Sequence, residues 1–203
     1  MLDVYKRPYN EKIPVICMDE SPKQLIEDVA IQEMKSGQES RVDYEYIRHG
    51  MVNIFMANEP LQGKRLLEVT KRKTKRDWAN FVRQISEAYT SADKICLVMD
   101  NFKTHHASAF YESFEPEEAR RLRARFDFVY TPKHGSWLKM AEIEFQVLNH
   151  QCLNRHISDQ TKVEREVNAW MEERNSKESK IKWRFTNEKA RIKLKKLYPS
   201  LHD

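Results

Sequence analysis

Two short apolar runs in this chain each end on an aspartate. Ile13-Pro14-Val15-Ile16-Cys17-Met18 leads into Asp19, and Ile95-Cys96-Leu97-Val98-Met99 leads into Asp100. Continuous apolar runs of this length, rich in Val and Ile, read as strands buried on both faces. A carboxylate at such a position is costly unless a cation meets it. A third carboxylate comes from a segment in which the strand-like stretch 126–130 stops at Pro132, turns through Gly135 and enters a helical pattern carrying Glu142 and Glu144. Asp, Asp and Glu from two strands and one helix form an oxygen-rich set suited to Mg²⁺ or Mn²⁺, and the expected chemistry is phosphodiester cleavage. On residue type alone, a strand-end turn or N-cap accounts for either aspartate as well.

The elements that must position these groups follow from periodicity and turn signals. Strands are expected over about 13–19, 51–57, 65–70, 94–100 and 126–130. Helices are expected over about 74–89, 104–114, 117–125 and 138–156; Trp78, Phe81, Val82, Ile85 and Ala88 mark one face of the first. A polar, charged insert fills 20–50. On a helical wheel Glu144 lies within the apolar arc of Met140, Ala141, Val147 and Leu148, whereas Glu142 lies at its edge, so periodicity favours Glu144 as the inward residue.

Three ordered blocks carry a family resemblance: Cys17-Met18-Asp19-Glu20; Val98-Met99-Asp100-Asn101 with His105 five positions after the aspartate; and His134-Gly135-Ser136-Trp137-Leu138-Lys139-Met140-Ala141-Glu142. The chain resembles the DDE transposases, in the bacterial insertion-sequence branch of the mariner-like superfamily, from roughly Pro14 to Pro199. Trp183-Arg184-Phe185-Thr186 and Ala190-Arg191-Ile192-Lys193-Leu194 belong to the resemblance. It implies an α/β, RNase H-like fold: a central mixed five-stranded sheet flanked by helices, with a helical, basic C-terminal tail. Residues 1–12 would be a linker, 13–157 the catalytic domain with its insert at 20–50, and 158–203 the extension.

The resemblance also implies DNA cleavage at transposon ends and 3′-OH strand transfer, with Asp19, Asp100 and Glu142 as catalytic residues holding a two-metal Mg²⁺ or Mn²⁺ site. It thus prefers Glu142 to Glu144, which stays as an accessory candidate beside Asn101 and His105. A helix beginning near Thr104 would place His105 among free backbone N–H groups beside Asp100, where it either helps hold a phosphate or is an ordinary first-turn residue. The partners implied are transposon-end and target DNA and a second copy of the chain when assembled on DNA. The first aspartate strand begins about a dozen residues in, so no helix-turn-helix region of the kind such transposases carry upstream is expected here. Another RNase H-like nuclease, or a DNA-binding remnant without activity, are the alternatives.

Charge and composition agree with a DNA partner. The net charge of +5 is concentrated: seven basic residues (Lys64, Arg65, Lys71, Arg72, Lys73, Lys75, Arg76) face one acidic residue between positions 62 and 76. A second cluster runs from Lys177 to Lys196. Such clusters are the footprint of phosphate binding, although a solvated face explains charge runs equally well. The DNA-contact candidates are Lys71, Arg72, Lys73, Lys75, Arg76, Lys133, His134, Trp137, Lys189, Arg191, Lys193, Lys195 and Lys196. Trp137 would either stack on a base or cover the core. Three cysteines leave no disulfide framework, and His105, His106, His134, His150, His156 and Cys152 lack the spacing of a dedicated zinc site. No apolar stretch approaches membrane-spanning length, and residues 1–12 lack the apolar region of a signal peptide. The expected setting is the bacterial cytoplasm, associated with the nucleoid.

Overall fold

The computed structural model describes residues 3–29, 45–102, 105–131 and 139–181. Five strands form one mixed sheet: β1 (Val15–Asp28), β2 (Tyr46–Glu59), β3 (Lys64–Thr70), β4 (Ile95–Met99) and β5 (Phe126–Tyr130), in the order β3-β2-β1-β4-β5. β1, β2 and β3 pair antiparallel, while β1–β4 and β4–β5 are parallel. This is the RNase H-like α/β architecture expected from the sequence. Helices α1 (Lys75–Ala88), α2 (Ser108–Ser113), α3 (Pro116–Arg125), α4 (Met140–Leu148) and α5 (Gln160–Ser176) flank it.

The period-2 alternation of the strands divides the core between the two faces of the sheet. Met18, Phe55, Ala57, Leu97 and Phe126 pack against Trp78, Phe81 and Ile85 of α1, Phe110 of α2 and Leu122 of α3. On the opposite face, Val52, Ile54, Met56 and Leu67 meet Phe145 and Leu148 of α4 and Val163, Val167 and Trp170 of α5. Cys17, Cys96 and Val98 meet Met140 and Ala141 there. Each fully buried large apolar side chain contributes on the order of 1.5–3 kcal/mol. Helix α1 starts where Thr74 and Asp77 form a capping box, each side chain bonding the other's backbone N–H.

Two expectations are corrected. Much of the segment expected as a polar insert at 20–50 is sheet: β1 runs on to Asp28 and pairs with β2 back to Tyr46, with residues 30–44 outside the described residues. Pro22 is tolerated because β1 pairs with β4 only over Val15–Cys17, which leaves one side of the strand without a ladder at Pro22. The helix expected over 138–156 is α only for Met140–Leu148, then widens into a π turn over Asn149–Leu153. Lys23 Nζ donates to the Leu153 and Arg155 carbonyls, at 2.6 and 3.0 Å, tying the end of this turn and the chain just past it to β1. Among the described residues, no helix is long and apolar enough to cross a membrane.

Candidate active site

The parallel ladder between β1 and β4 aligns Val15 with Cys96, Ile16 with Leu97 and Cys17 with Val98. Two residues further along the same register, Asp19 falls alongside Asp100, the first residue beyond β4. Alternation then sorts the neighbours. Asp19 shares the face of Cys17, which packs on the start of α4, whereas Glu20 shares the face of Met18, toward α1. Adjacent residues of β1, with Asp100 at the end of β4, therefore put carboxylates on both faces of the sheet at one spot.

Each face answers with a cation. From the α4 side, Lys139 is buried, and its ammonium lies 2.6 Å from Asp19 Oδ2 and 3.6 Å from Asp100 Oδ2. From the α1 side, His105 is buried, its Nδ1 lying 2.5 Å from Asp100 Oδ1 and its Nε2 3.2 Å from Glu20 Oε2. The imidazole stacks on Trp78 with ring centroids 5.8 Å apart. His105 is thus not the first-turn phosphate ligand expected from the sequence: α2 begins only at Ser108, and the ring is turned inward onto two carboxylates. Asn101 is exposed.

These contacts set the protonation of the site. Burial works against ionised Asp100, but the hydrogen bond and charge of His105, with Lys139, outweigh it and hold the carboxyl down at about 2. Burial likewise opposes protonated His105, but its bonds to Asp100 and Glu20 prevail and raise it to about 9. In Asp19, burial wins over the pull of Lys139, and the carboxyl sits above its ordinary value.

The two glutamates of α4 separate clearly. Glu144 is fully buried, as the wheel predicts, but neutralised: Arg65 Nε and Nη2 reach its two oxygens at 2.6 and 3.0 Å, and Arg174 Nη2 adds a 3.0 Å bond. Arg65 thereby leaves the basic surface cluster in which its sequence position sets it. Glu142 lies in the first turn of α4, and its Oε2 is buried with no hydrogen-bond partner among the described residues. An orphaned carboxylate oxygen is a group that calls for a cation. Among the described residues no three His, Cys, Asp or Glu side chains already converge as a metal cage. The donor set of Asp19, Asp100 and Glu142 nevertheless fits a hard divalent ion: all oxygen, two carboxylates now met by an ammonium, the third with one buried oxygen that has no partner among the described residues.

Lys71, Arg72, Lys73, Lys75 and Arg76 are exposed along the β3–α1 connection and its first helical turn. Lys73 Nζ approaches Glu20 Oε1 to 3.9 Å and lies 5.3 Å from the ring centroid of Phe102, which connects this cluster to the site. Lys75 is engaged with Glu112 at 2.7 Å. Lys133, His134, Trp137, Lys189, Arg191, Lys193, Lys195 and Lys196 lie outside the described residues. The sequence reading missed Glu20 and Lys139 as site members. Period-2 alternation beyond Asp19 was the available signal for Glu20; for Lys139 it was a cation abutting the helix that carries Glu142.

A family model described as DDE superfamily endonuclease matches residues 14–164. Among solved structures, the chain is similar to a Mos1 transposase paired-end complex with left transposon end, at 12% identity and a TM-score of 0.58, covering 84% of this chain and 51% of that one. It is similar to a Mos1 mariner paired end complex with Mn, at 13% identity and a TM-score of 0.58, covering 87% and 53%. A Mos1 strand transfer complex aligns with a TM-score of 0.53 at 12% identity, covering 90% and 59%. At these identities the likeness establishes the fold alone, and the chain spans between half and three-fifths of each of these structures' length. No curated protein matches it.

Proposed function

The chain belongs to the DDE superfamily endonucleases, and from that premise we propose that it is a transposase catalytic domain of the bacterial insertion-sequence branch of the mariner-like superfamily. Its reaction is cleavage of DNA strands at transposon ends and transfer of the freed 3′-OH into target DNA. The observation that carries this reading is the register that sets Asp19 beside Asp100, with the unpaired Glu142 oxygen in the first turn of the adjoining helix. Asp19, Asp100 and Glu142 would hold Mg²⁺ or Mn²⁺. Such ions, when bound, activate the attacking oxygen and offset charge on the leaving one. His105 fixes the orientation of Asp100 by occupying one carboxylate oxygen, leaving the other turned toward Lys139 and Asp19. The exposed cations from Lys71 to Arg76 hold the DNA backbone beside the site.

The solved structures that share this fold include complexes with a transposon end and with Mn, which supports DNA and a divalent metal as partners. A homodimer assembled on DNA and residence in the bacterial cytoplasm at the nucleoid complete the proposal. The test is a Mn²⁺ titration that follows both melting temperature and nicking of plasmid DNA. A rise in melting temperature through linkage, together with nicking, each lost in Asp19→Asn and Asp100→Asn, is the expected result. Wild-type protein that neither shifts in melting temperature nor nicks across the titration would remove the metal site.

A further inference from the structure

Lys139 is a buried cation that the proposed reaction does not use. Its side chain is 3% exposed, and its ammonium is shared between Asp19 Oδ2 and Asp100 Oδ2. A divalent ion held by the same two carboxylates has to approach the same oxygens, and two cations crowded onto one oxygen pair in a buried setting repel each other. Resting on the metal-dependent reading above, we infer that Lys139 is an internal counter-ion that competes with the metal, and that its displacement couples metal loading to DNA binding. The DNA backbone is the anion that receives the expelled ammonium. Metal and DNA then each strengthen binding of the other, by the same factor in both directions.

The local geometry suits a group that moves. Lys139 carries a compact charge on a flexible four-carbon stem, so its ammonium can leave Asp19 by side-chain rotation alone. It occupies the N-cap position of α4 with extended backbone, φ −81° and ψ 128°, and makes no side-chain capping bond there. Swinging the side chain out therefore uncaps nothing. Asp100 keeps its His105 bond in either arrangement, because that bond uses Oδ1 and the lysine uses Oδ2. The consequence is economy of cutting: without DNA, the carboxylates are satisfied internally and the metal is held weakly; with DNA, the competitor has somewhere else to go.

The experiment is calorimetric titration of Mn²⁺ into the full chain, wild type and Lys139→Met, with and without a short duplex of arbitrary sequence checked by gel to be uncut. Without DNA, Lys139→Met is expected to bind Mn²⁺ on the order of tenfold more tightly than wild type, within the usual range of such coupling. The duplex is expected to tighten Mn²⁺ binding in wild type and to have no such effect in the variant. In thermal melts the variant falls below wild type without added metal and recovers on Mn²⁺ addition. If Lys139→Met does not fold unaided, its folding on addition of Mn²⁺ counts as support, and Lys139→Gln, which keeps a donor without the charge, carries the affinity comparison. A folded variant that binds Mn²⁺ no more tightly than wild type overturns the inference, as does wild-type affinity indifferent to the duplex. Wild type that binds no Mn²⁺ under any condition overturns the metal reading as well; wild-type binding with an unchanged variant overturns the role of Lys139 alone.

Discussion

On α4, Glu142 and Glu144 are separated by one residue and face different surroundings, which makes their isosteric variants informative. Glu144→Gln removes the charge that neutralises buried Arg65 and partly buried Arg174, and breaking such a pair costs about 3–5 kcal/mol. Urea denaturation should show that loss, with metal-dependent nicking largely retained in the folded fraction. Glu142→Gln should leave stability unchanged or raise it, since its Oε2 has no partner, yet abolish nicking. Loss of nicking in the Glu144 variant with retention in the Glu142 variant would move the site one helical face over. The wheel reports which glutamate points inward, but not that Arg65 waits for it from β3, a contact between residues far apart in sequence. His105 tells the same story: its spacing from Asp100 is legible, its burial between two carboxylates is not. Because its folded value of about 9 lies above the ordinary 6.5, the stability it contributes is complete below pH 6.5 and fades as pH rises through 9. Asp100 acts in the opposite sense, with stability present above 3.8 and lost as pH falls toward 2. The stability difference between wild type and His105→Gln, measured without added metal, should therefore be flat from about pH 4.5 to 6 and shrink toward pH 9; a pH-independent difference would contradict the ion pair.

At the scale of elements, strands buried on both faces were the most legible. β4 and β5 lie within one residue of their expected bounds because apolar runs and flanking turn signals agree. The distal halves of β1 and β2 were not legible, since 20–28 and 46–51 carry mostly polar residues and a proline, 46–51 is exposed, and over 20–28 Leu25 alone is buried in the core, the rest being held chiefly by cross-strand ladder bonds. The turn between β2 and β3 was visible as Pro60 to Gly63, but its purpose was not. Gly63 has φ +70°, and a Cβ there would stand 2.5 Å from the Glu178 backbone carbon. The chain after α5 docks on this turn: Ile181 N donates to Pro60 O at 3.1 Å, and Arg65 Nη2 donates to Ser179 O at 2.5 Å. Gly63→Ala combines a disfavoured backbone conformation with a backbone clash, so it should destabilise by more than about 1 kcal/mol and free the segment around 178–181, read as faster amide exchange at Ile181. Wild-type exchange at Ile181 in the variant would show that the tail does not depend on this close approach.

For the whole molecule, the net charge of +5 says little; its placement says more. Of the basic residues clustered in sequence between 62 and 76, Arg65 is consumed by the buried pair with Glu144 and Lys75 by Glu112. Lys71, Arg72, Lys73 and Arg76 are exposed, and Lys73 brings this stretch to the carboxylate site, near both Glu20 and Phe102. Composition could not make that distinction, because it counts charges without knowing which have partners. These four cations form the surface proposed to grip phosphates, and each phosphate they neutralise should release counter-ions from the duplex. Affinity for an arbitrary duplex, measured by anisotropy over a salt series, should then fall linearly in log–log form with a slope of about −0.9 per phosphate contacted. Replacing Lys71, Arg72, Lys73 and Arg76 together with glutamine should make that slope shallower by up to about 3.6 if all four make contact. Lys75→Gln should change it less than Lys73→Gln, because Lys75 is held by Glu112 at 2.7 Å while Lys73 stands 3.9 Å from Glu20. The melting temperature of the fourfold variant should stay near that of wild type, since exposed charges contribute little to stability. An unaltered slope in a folded fourfold variant would place the DNA on another face of the molecule, and with it the entry of the scissile phosphate to Asp19 and Asp100.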